Sequence, residues 1–299
     1  MKPHTKGLLL IILGTCLWGS SGVLSQHLFK DKLFTAEWLV TIRLIASGAL
    51  LLAADALTHK GDIFSIWKTS DRWQLIIFGV LGMLGVQYTF FAAIVHSNAA
   101  TATILQYLMP VFMVLYMVIA TRRPPQPREL LTVAMAMAGT FILVTKCRLD
   151  TLAISPQAVF WGLMSAVFAA FYTLQPRTII KKWRSTLVVG WGMLIGGLLV
   201  CIYQPVWQFT GIMDVNAAAS LAGIICFGTA LAFFAYLEST KYLTPAEIGV
   251  FASLEPLSSI VLSIIFFNIN FGLTDFIGAA IIITAATSLS LKKQKTDTT

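Results

Sequence analysis

Residues Ala246 to Phe267 read AEIGVFASLEPLSSIVLSIIFF, and this apolar stretch carries Glu255 and Pro256 near its middle. About 20 apolar residues are enough to cross a bilayer, so the stretch predicts a membrane-spanning helix. A charge at mid-membrane costs at least ~2.5 kcal/mol, and a proline inside a helix removes one backbone hydrogen bond. We therefore expect this helix to line a cavity, where its polar groups can be hydrated or paired.

A related stretch lies 146 residues earlier in the chain. Ala100 to Pro110 reads ATATILQYLMP and Ala246 to Pro256 reads AEIGVFASLEP; the alanine, the leucine two residues before the proline, and the proline coincide. The motif Phe-Phe-Ala precedes both stretches, starting at Phe90 and at Phe233. This pattern indicates two copies of one unit of ~145 residues, as in transporters built from repeats. The copies are expected at residues 1–147 and 148–299.

The composition indicates the class of protein. The chain is 57% hydrophobic and 11% charged, with a mean hydropathy of +0.81. Soluble domains carry about 25% charged residues, so this chain has too little polar surface to enclose a soluble core. The net charge of +8 does not indicate a nucleic-acid partner, because the Lys and Arg residues fall between apolar segments. The chain is therefore expected to be a multi-pass protein of the lipid bilayer.

Ten apolar segments follow one another along the chain, five in each half. Because five is an odd number, the second copy must enter the membrane upside down relative to the first. The predicted fold is an all-α integral membrane protein with ten transmembrane helices, arranged as a 5+5 inverted repeat around a central cavity. The segments run from Gly7 to Leu28, Ala36 to Leu57, Trp73 to Val95, Asn98 to Ala120, Arg128 to Thr145, Ser155 to Gln175, Leu187 to Val206, Ala218 to Ser239, Ala246 to Phe267 and Leu273 to Leu291.

The distribution of positive charge predicts the orientation. With the N-terminus inside, only Lys30, Lys32, Lys146 and Arg148 of the 21 Lys and Arg residues fall on the outer side, and Arg43 lies within a segment. The remaining Lys and Arg residues all fall on the inner side. This positive-inside bias predicts that both termini are cytoplasmic and that the protein resides in the cell's inner membrane.

Arg43 and Glu255 are the two charges that lie deep within apolar segments. At ~1.5 Å per residue they lie at nearly the same depth, although they approach it from opposite faces of the membrane. One interpretation is that Arg43 attracts an anionic group of a substrate and Glu255 an amine or a proton. The alternatives are a structural ion pair between the two, or separate hydrogen bonds that hold helices together.

Two prolines are candidates for gating. Pro110 and Pro256 each leave a carbonyl one turn earlier without its donor, at Gln106 and Ala252 respectively. A kink at these points would expose polar backbone to a ligand and allow one part of the bundle to move. The simpler alternative is a structural kink with no role in gating.

Aromatic and amide side chains complete the candidate lining of the cavity. Such groups suit a small solute with an apolar body and polar ends. Trp161 and Trp191 lie closer to segment ends and are expected in the interfacial belt. The candidate substrate-binding residues, with the two charges, are Trp18, Arg43, Gln87, Tyr88, Gln106, Tyr107, Tyr172 and Glu255.

Nothing in the sequence indicates catalysis. There is no HExxH, GxSxG, P-loop or Gly-rich dinucleotide motif, and the four cysteines have no metal-type spacing. We therefore expect a protein that is not an enzyme and that needs no metal or cofactor, with proton coupling left open.

Short motifs give the chain a family resemblance. Leu17 to Gly22 (LWGSSG), Arg43, Asn98 to Thr103 (NAATAT) and Leu254 to Pro256 (LEP) resemble the drug/metabolite transporter superfamily, specifically its EamA-like exporters with two repeats. The resemblance implies a 5+5 inverted-repeat bundle in which the fourth and ninth helices meet near the centre. It also implies the export of small solutes such as amino acids.

These observations predict a secondary transporter that exports a small metabolite, such as an amino acid or a related zwitterion, by alternating access. Two alternatives stay open: efflux of drugs or toxic compounds, and a membrane scaffold or enzyme subunit without transport of its own. The expected partners are a small-molecule solute and the bilayer, with a homodimer left open.

Overall fold

The structure, a computed structural model, describes residues 3–59, 62–122, 124–147, 153–239, 242–243 and 245–292. Every regular element within these ranges is helical, and none of them contains a strand. The predicted boundary after residue 147 adjoins residues 148–152, which lie outside the described ranges. Several charges used to predict the orientation also lie outside them, namely Lys2, Lys60, Arg123, Arg148, Lys241, Lys293 and Lys295.

Fifteen α-helices lie within the described ranges. The first seven are α1 (Pro3–Asp31), α2 (Ala36–His59), α3 (Asp71–Ile77), α4 (Gly85–His96), α5 (Ala99–Gln106), α6 (Met109–Thr121) and α7 (Pro127–Thr145). The others are α8 (Pro156–Leu174), α9 (Arg177–Lys182), α10 (Ser185–Tyr203), α11 (Val215–Ile225), α12 (Ala232–Ser239), α13 (Pro245–Ala252), α14 (Leu254–Phe267) and α15 (Leu273–Lys292). A 3₁₀ turn, Ser65–Lys68, precedes α3.

The helices confirm a membrane protein. Within the described ranges, seven helical stretches are long and apolar enough to cross a bilayer. Three shorter apolar helices, Glu129–Thr145, Leu254–Phe267 and Leu273–Ser288, add to these. The predicted count of ten therefore requires the three shorter helices to cross the bilayer as well.

Two of the predicted spans are interrupted by a short turn beside the predicted proline, and the residues of both turns keep right-handed helical dihedral angles. The turn at Tyr107 and Leu108 separates α5 from α6, and Ser253 separates α13 from α14. Pro110 and Pro256 fall in the first turn of the helix that follows each break. Proline is tolerated there because the first N–H groups of a helix have no intrahelical acceptor. The side chain of Pro110 lies outside the described part of the chain, whereas Pro256 is buried.

Two π-helical turns were not predicted. Phe78–Leu84 joins α3 to α4, and Cys226–Leu231 joins α11 to α12. A π turn inserts one extra residue into a helix, which shifts the hydrogen-bonding register and often marks a functional site.

Helix α1 packs unusually closely against the second half of the chain. A Cβ atom at Gly14 would lie 3.0 Å from the carbonyl oxygen of Ala232, and one at Gly19 would lie 2.7 Å from the carbonyl oxygen of Glu255. The Gly19 position also abuts the hydroxyl of Ser258. Glycine therefore lets α1 touch the backbone at the start of α14.

Gly19→Ala is expected to destabilise the protein, because its new methyl group would overlap the backbone of Glu255. Overpacking of this kind costs about 1–3 kcal/mol. The measurement is the unfolding temperature of the purified protein in detergent. Gly223→Ala is the matched control, because a Cβ there meets only Leu24 Cδ1, at an ordinary 3.5 Å. Equal unfolding temperatures for the two variants would contradict the packing argument.

Candidate functional site

Glu255 lies in the first turn of α14, directly after the break at Ser253. Its side chain is half-buried, and no donor in the described part of the chain hydrogen-bonds to its carboxylate. Its backbone carbonyl accepts a hydrogen bond from Ser258 Oγ at 2.9 Å. Directly after the turn, Glu255 thus keeps a carboxylate that accepts no hydrogen bond from the described residues.

Arg43 lies on α2 and is only 4% exposed. Its Nε donates to Thr229 Oγ1 at 2.6 Å, and its Nη2 donates to the carbonyl oxygen of Gly228 at 3.4 Å. The guanidinium also lies over the ring of Phe91, 5.0 Å from its centroid. Within the described residues, no bond to Nη1 accompanies these contacts. Arg43 is therefore held along one edge and keeps donors on the other.

The contacts of Arg43 depend on the π turn between α11 and α12. Thr229 Oγ1 accepts from Arg43 and donates to the carbonyl oxygen of Ile224 at 2.9 Å. One helical turn after Arg43, Ser47 Oγ donates to the carbonyl oxygen of Ile225 at 3.3 Å. Side chains of α2 thus bind carbonyl groups at the register shift, and that turn holds the guanidinium in place.

Helix α2 is anchored at its other end, which helps to fix Arg43. Asp55 accepts from Arg184 Nη2 at 2.7 Å and from Thr186 Oγ1 at 2.5 Å. The hydrogen bond to Asp55 raises the pKa of the Arg184 guanidinium above its ordinary value, so this residue stays charged. Asp55 thus joins α2 to the N-terminal end of α10.

Arg43 and Glu255 lie close enough to interact electrostatically, but no salt bridge joins these two described residues. Of the alternatives considered from the sequence, direct contact between the two charges is absent, whereas Arg43 does make separate hydrogen bonds that join helices. Two opposite charges instead face the same region from α2 and α14 while remaining apart. Removing both charges from water costs free energy, and the two residues do not offset that cost by contacting each other.

Aromatic rings surround this region. Trp18 packs against Phe233 and Tyr236, with ring centroids 5.0 and 4.9 Å apart. Tyr172 lies 6.5 Å from Phe233, and the phenols of Tyr107 and Tyr236 lie close enough to Glu255 that their ionised forms would be repelled by its carboxylate. The structure therefore brings together Trp18, Arg43, Tyr107, Tyr172 and Glu255 from the predicted set.

Of the three other predicted residues, Tyr88 and Gln106 bind side chains elsewhere, and Gln87 is buried. The Tyr88 hydroxyl donates to Glu37 Oε1 at 3.1 Å, and its ring packs edge-on against Trp161. Gln106 Nε2 donates to Ser165 Oγ at 2.7 Å and so joins α5 to α8. Gln87 is 7% exposed. The structure does not bring Tyr88 to the charged region, because its hydroxyl is directed toward Glu37.

Sequence reasoning missed three residues of the site. Tyr236 lies close to a segment end and resembles a residue of the interfacial belt. Thr229 is a hydroxyl residue within an apolar segment, which is a weak signal. Phe233 was noticed only as part of the repeated Phe-Phe-Ala motif.

An apolar cavity of about 250 Å³ borders the turn between α5 and α6. It is lined by Leu108, Val111, Phe112, Ala136, Met137, Thr140 and Leu163. The Thr140 hydroxyl donates to the carbonyl oxygen of Ala136 at 2.7 Å. This lining therefore offers few hydrogen-bonding groups to a polar solute. Within the described ranges, no three His, Cys, Asp or Glu residues cluster as metal ligands would.

Comparisons with known proteins agree with this geometry. The model of the EamA-like transporter family matches residues 5–145 and again residues 156–291. A protein of Salmonella typhimurium described as the uncharacterized inner membrane transporter YicL is 37% identical over 296 residues, covering 99% of this chain and 98% of that protein. A protein of known crystal structure, 16% identical, aligns with a TM-score of 0.67 over 98% of this chain and 99% of its own. This last similarity concerns the fold alone.

Proposed function

This chain belongs to the EamA-like transporter family and is a membrane transporter, and we propose that it exports a small zwitterion such as an amino acid. The observation that carries this proposal is the separation of Arg43 and Glu255. A substrate with one carboxylate and one ammonium group can bridge them, with the ammonium at Glu255 and the carboxylate at the free edge of Arg43. The bridged state gives each buried charge a partner.

The proposed mechanism is alternating access in a bundle of ten helices with 5+5 inverted topology. Both parts of the chain contain a span with a π turn, followed by a span broken next to a proline. This shared order supports two repeats, at residues 1–147 and 148–299. The helix interruptions lie at the membrane depth where the substrate would bind. There the helices can change their angle as the site opens first to one side of the membrane and then to the other. Inner-membrane location, cytoplasmic termini and a homodimer stay predictions.

We also propose that Glu255 exchanges a proton for the substrate amine. When the ammonium leaves, protonation of the carboxylate removes the cost of an isolated charge within the membrane. The Glu255 carboxylate then holds either the substrate ammonium or a proton, so the release of one is coupled to the binding of the other. The aromatic walls also suit a drug-like cation, which is the alternative substrate class.

The proposed function is tested by flux through purified protein in liposomes. We expect uptake of radiolabelled amino acids that responds to an imposed proton gradient. Uptake of drug-like cations but no amino acids would favour the alternative class. No flux of either would contradict a transport role for the isolated chain.

Thr229→Val is expected to weaken amino-acid transport about 3- to 10-fold, because Arg43 loses the acceptor that orients its Nε. Transport of the corresponding amine, which lacks the carboxylate, is expected to change less. Thr229→Ser keeps the hydroxyl and should restore amino-acid transport. The measurement is the initial uptake rate over a range of concentrations, and equal losses for amino acid and amine would exclude this positioning role.

A further inference from the structure

The apolar cavity beside the turn between α5 and α6 lies at mid-depth in the helices that form it. Leu108, one of its lining residues, stands at the middle of the 22-residue stretch Ala99–Ala120, which is long and apolar enough to cross a bilayer. Ala136, another lining residue, stands at the middle of the 19-residue helix α7. In a helix that crosses the bilayer, the middle residues lie at the level of the acyl-chain ends.

The cavity extends from the buried core to the outer surface of the helices. Leu108 and Ala136 are only 6% and 2% exposed, whereas Met137, which also lines the cavity, is 66% exposed. Leu115 on α6 and Phe141 on α7 are each 46% exposed. Exposed apolar side chains of membrane helices are covered by lipid. The surface that leads into the cavity is therefore in contact with acyl chains.

Water and polar solutes do not suit this cavity. Thr140 is the one polar side chain among its described lining residues, none of which is charged, and its hydroxyl already donates to the carbonyl oxygen of Ala136. A buried water needs about 2–4 polar partners. The volume of about 250 Å³ exceeds that of an engineered cavity of about 150 Å³ that admits benzene. If the cavity stayed empty, its walls would forfeit dispersion contacts.

We propose that the end of a lipid acyl chain occupies this cavity and packs against the interrupted span formed by α5 and α6. The chain contacts Leu108 in the turn, and Val111 and Phe112 at the beginning of α6. It thereby supplies dispersion contacts next to the helix interruption. The headgroup stays at the bilayer surface, so the site selects an aliphatic chain rather than a headgroup. This site is separate from Arg43 and Glu255, neither of which lines the cavity.

Photochemical labelling from within the bilayer tests the proposal. Purified protein is reconstituted in phosphatidylethanolamine liposomes that contain a lipid with a diazirine at the terminal carbon of one acyl chain. Labelled residues are then identified by mass spectrometry. Leu108 and Ala136 are expected to be labelled, because a chain inside the cavity reaches them. Met193, which is 0% exposed near the middle of α10, is the buried control and should not be labelled.

A cavity-filling variant shows whether the acyl chain enters through this space. Thr140→Leu adds apolar volume to the lining and is expected to reduce labelling of Leu108 and Ala136 at least ~5-fold, because about two CH₂ groups of the chain lose their place. Ala134→Leu is the matched control, since Ala134 is exposed on the same helix and does not line the cavity. It should keep wild-type labelling. If Thr140→Leu does not fold, the comparison of Leu108 with Met193 in the wild type still tests the proposal.

Three outcomes would overturn the proposal. Labelling of Met137 without Leu108 and Ala136 would mean that lipid only covers the surface. Labelling of Leu108 and Ala136 by a small diazirine-bearing benzene derivative, but not by the lipid, would identify a site for a small apolar solute. Labelling of neither residue by either probe is the result expected if a second copy of this chain seals the cavity.

Discussion

Glu255→Gln is expected to reduce amino-acid uptake by about 10- to 100-fold, because the amide cannot supply the negative charge that pairs with an ammonium group. Gln has nearly the same shape as Glu, so the helix break at Ser253 and the contact with α1 at Gly19 should persist. We expect the variant to express at wild-type levels, which separates loss of binding from loss of folding.

The pH profile of the same variant tests proton exchange. In the wild-type protein, protonation of Glu255 competes with the substrate amine, so substrate binding weakens as the pH falls on the side from which substrate enters. Gln takes up no proton, and the profile of the variant should be flatter. The measurement is initial uptake between about pH 5 and 8, where exposed carboxylates and substrate amines keep their charges. A pH dependence that is present in the wild type and lost in the variant is therefore assigned to Glu255.

Glu129→Gln is the matched control for this experiment. Glu129 closes the N-terminal capping box of α7, and glutamine also serves in such a box. The control should keep both the uptake rate and the pH profile. An unchanged pH profile in Glu255→Gln would remove Glu255 from proton coupling, and unchanged uptake would also remove it from substrate binding.

Arg43→Ala is expected to have the second large effect, a loss of about 10- to 100-fold for substrates that carry a carboxylate. The corresponding amines should lose less, because they do not use the guanidinium. The substitution also leaves Thr229 and the carbonyl of Gly228 without their donor, so we expect stability to fall by about 1–3 kcal/mol. The measurements are uptake of an amino acid and of its decarboxylated amine, with the unfolding temperature.

Arg184→Ala separates the two effects. Arg184 binds Asp55 at the far end of α2, so its loss is expected to lower stability without changing the ratio of amino-acid to amine uptake. If Arg43→Ala lowers uptake of amino acid and amine equally, as a purely structural lesion would, Arg43 does not bind the carboxylate.

The main elements of the fold and both central charges were predictable from the sequence. Hydropathy located the helices, because every helix that faces lipid must be apolar. The prolines predicted the helix interruptions next to Pro110 and Pro256, because a proline has no N–H to donate to the carbonyl one turn earlier. Counting ~1.5 Å per residue brought Arg43 and Glu255 to one level, because a helix has a constant rise.

The surroundings of Arg43 were not predictable in the same way. Its acceptors are the Thr229 hydroxyl and a backbone carbonyl, and a carbonyl has no signature in the sequence. Each π turn shifts its helix by one residue, which hydrophobic periodicity does not detect. The bond of Tyr88 to Glu37 was not predictable for a related reason. Depth in the membrane can be counted along a helix, but the partner of a side chain depends on how that helix is rotated.

The most direct test of the central claim is a binding measurement on the purified protein by isothermal titration. The ligands are threonine, its decarboxylated amine 1-amino-2-propanol, and N-acetylthreonine, which lacks the ammonium group. If Arg43 and Glu255 each hold one end of a zwitterion, threonine should bind at least ~10-fold more tightly than either of the others. Equal affinity for threonine and the amine would contradict the account, because the carboxylate would then contribute nothing to binding.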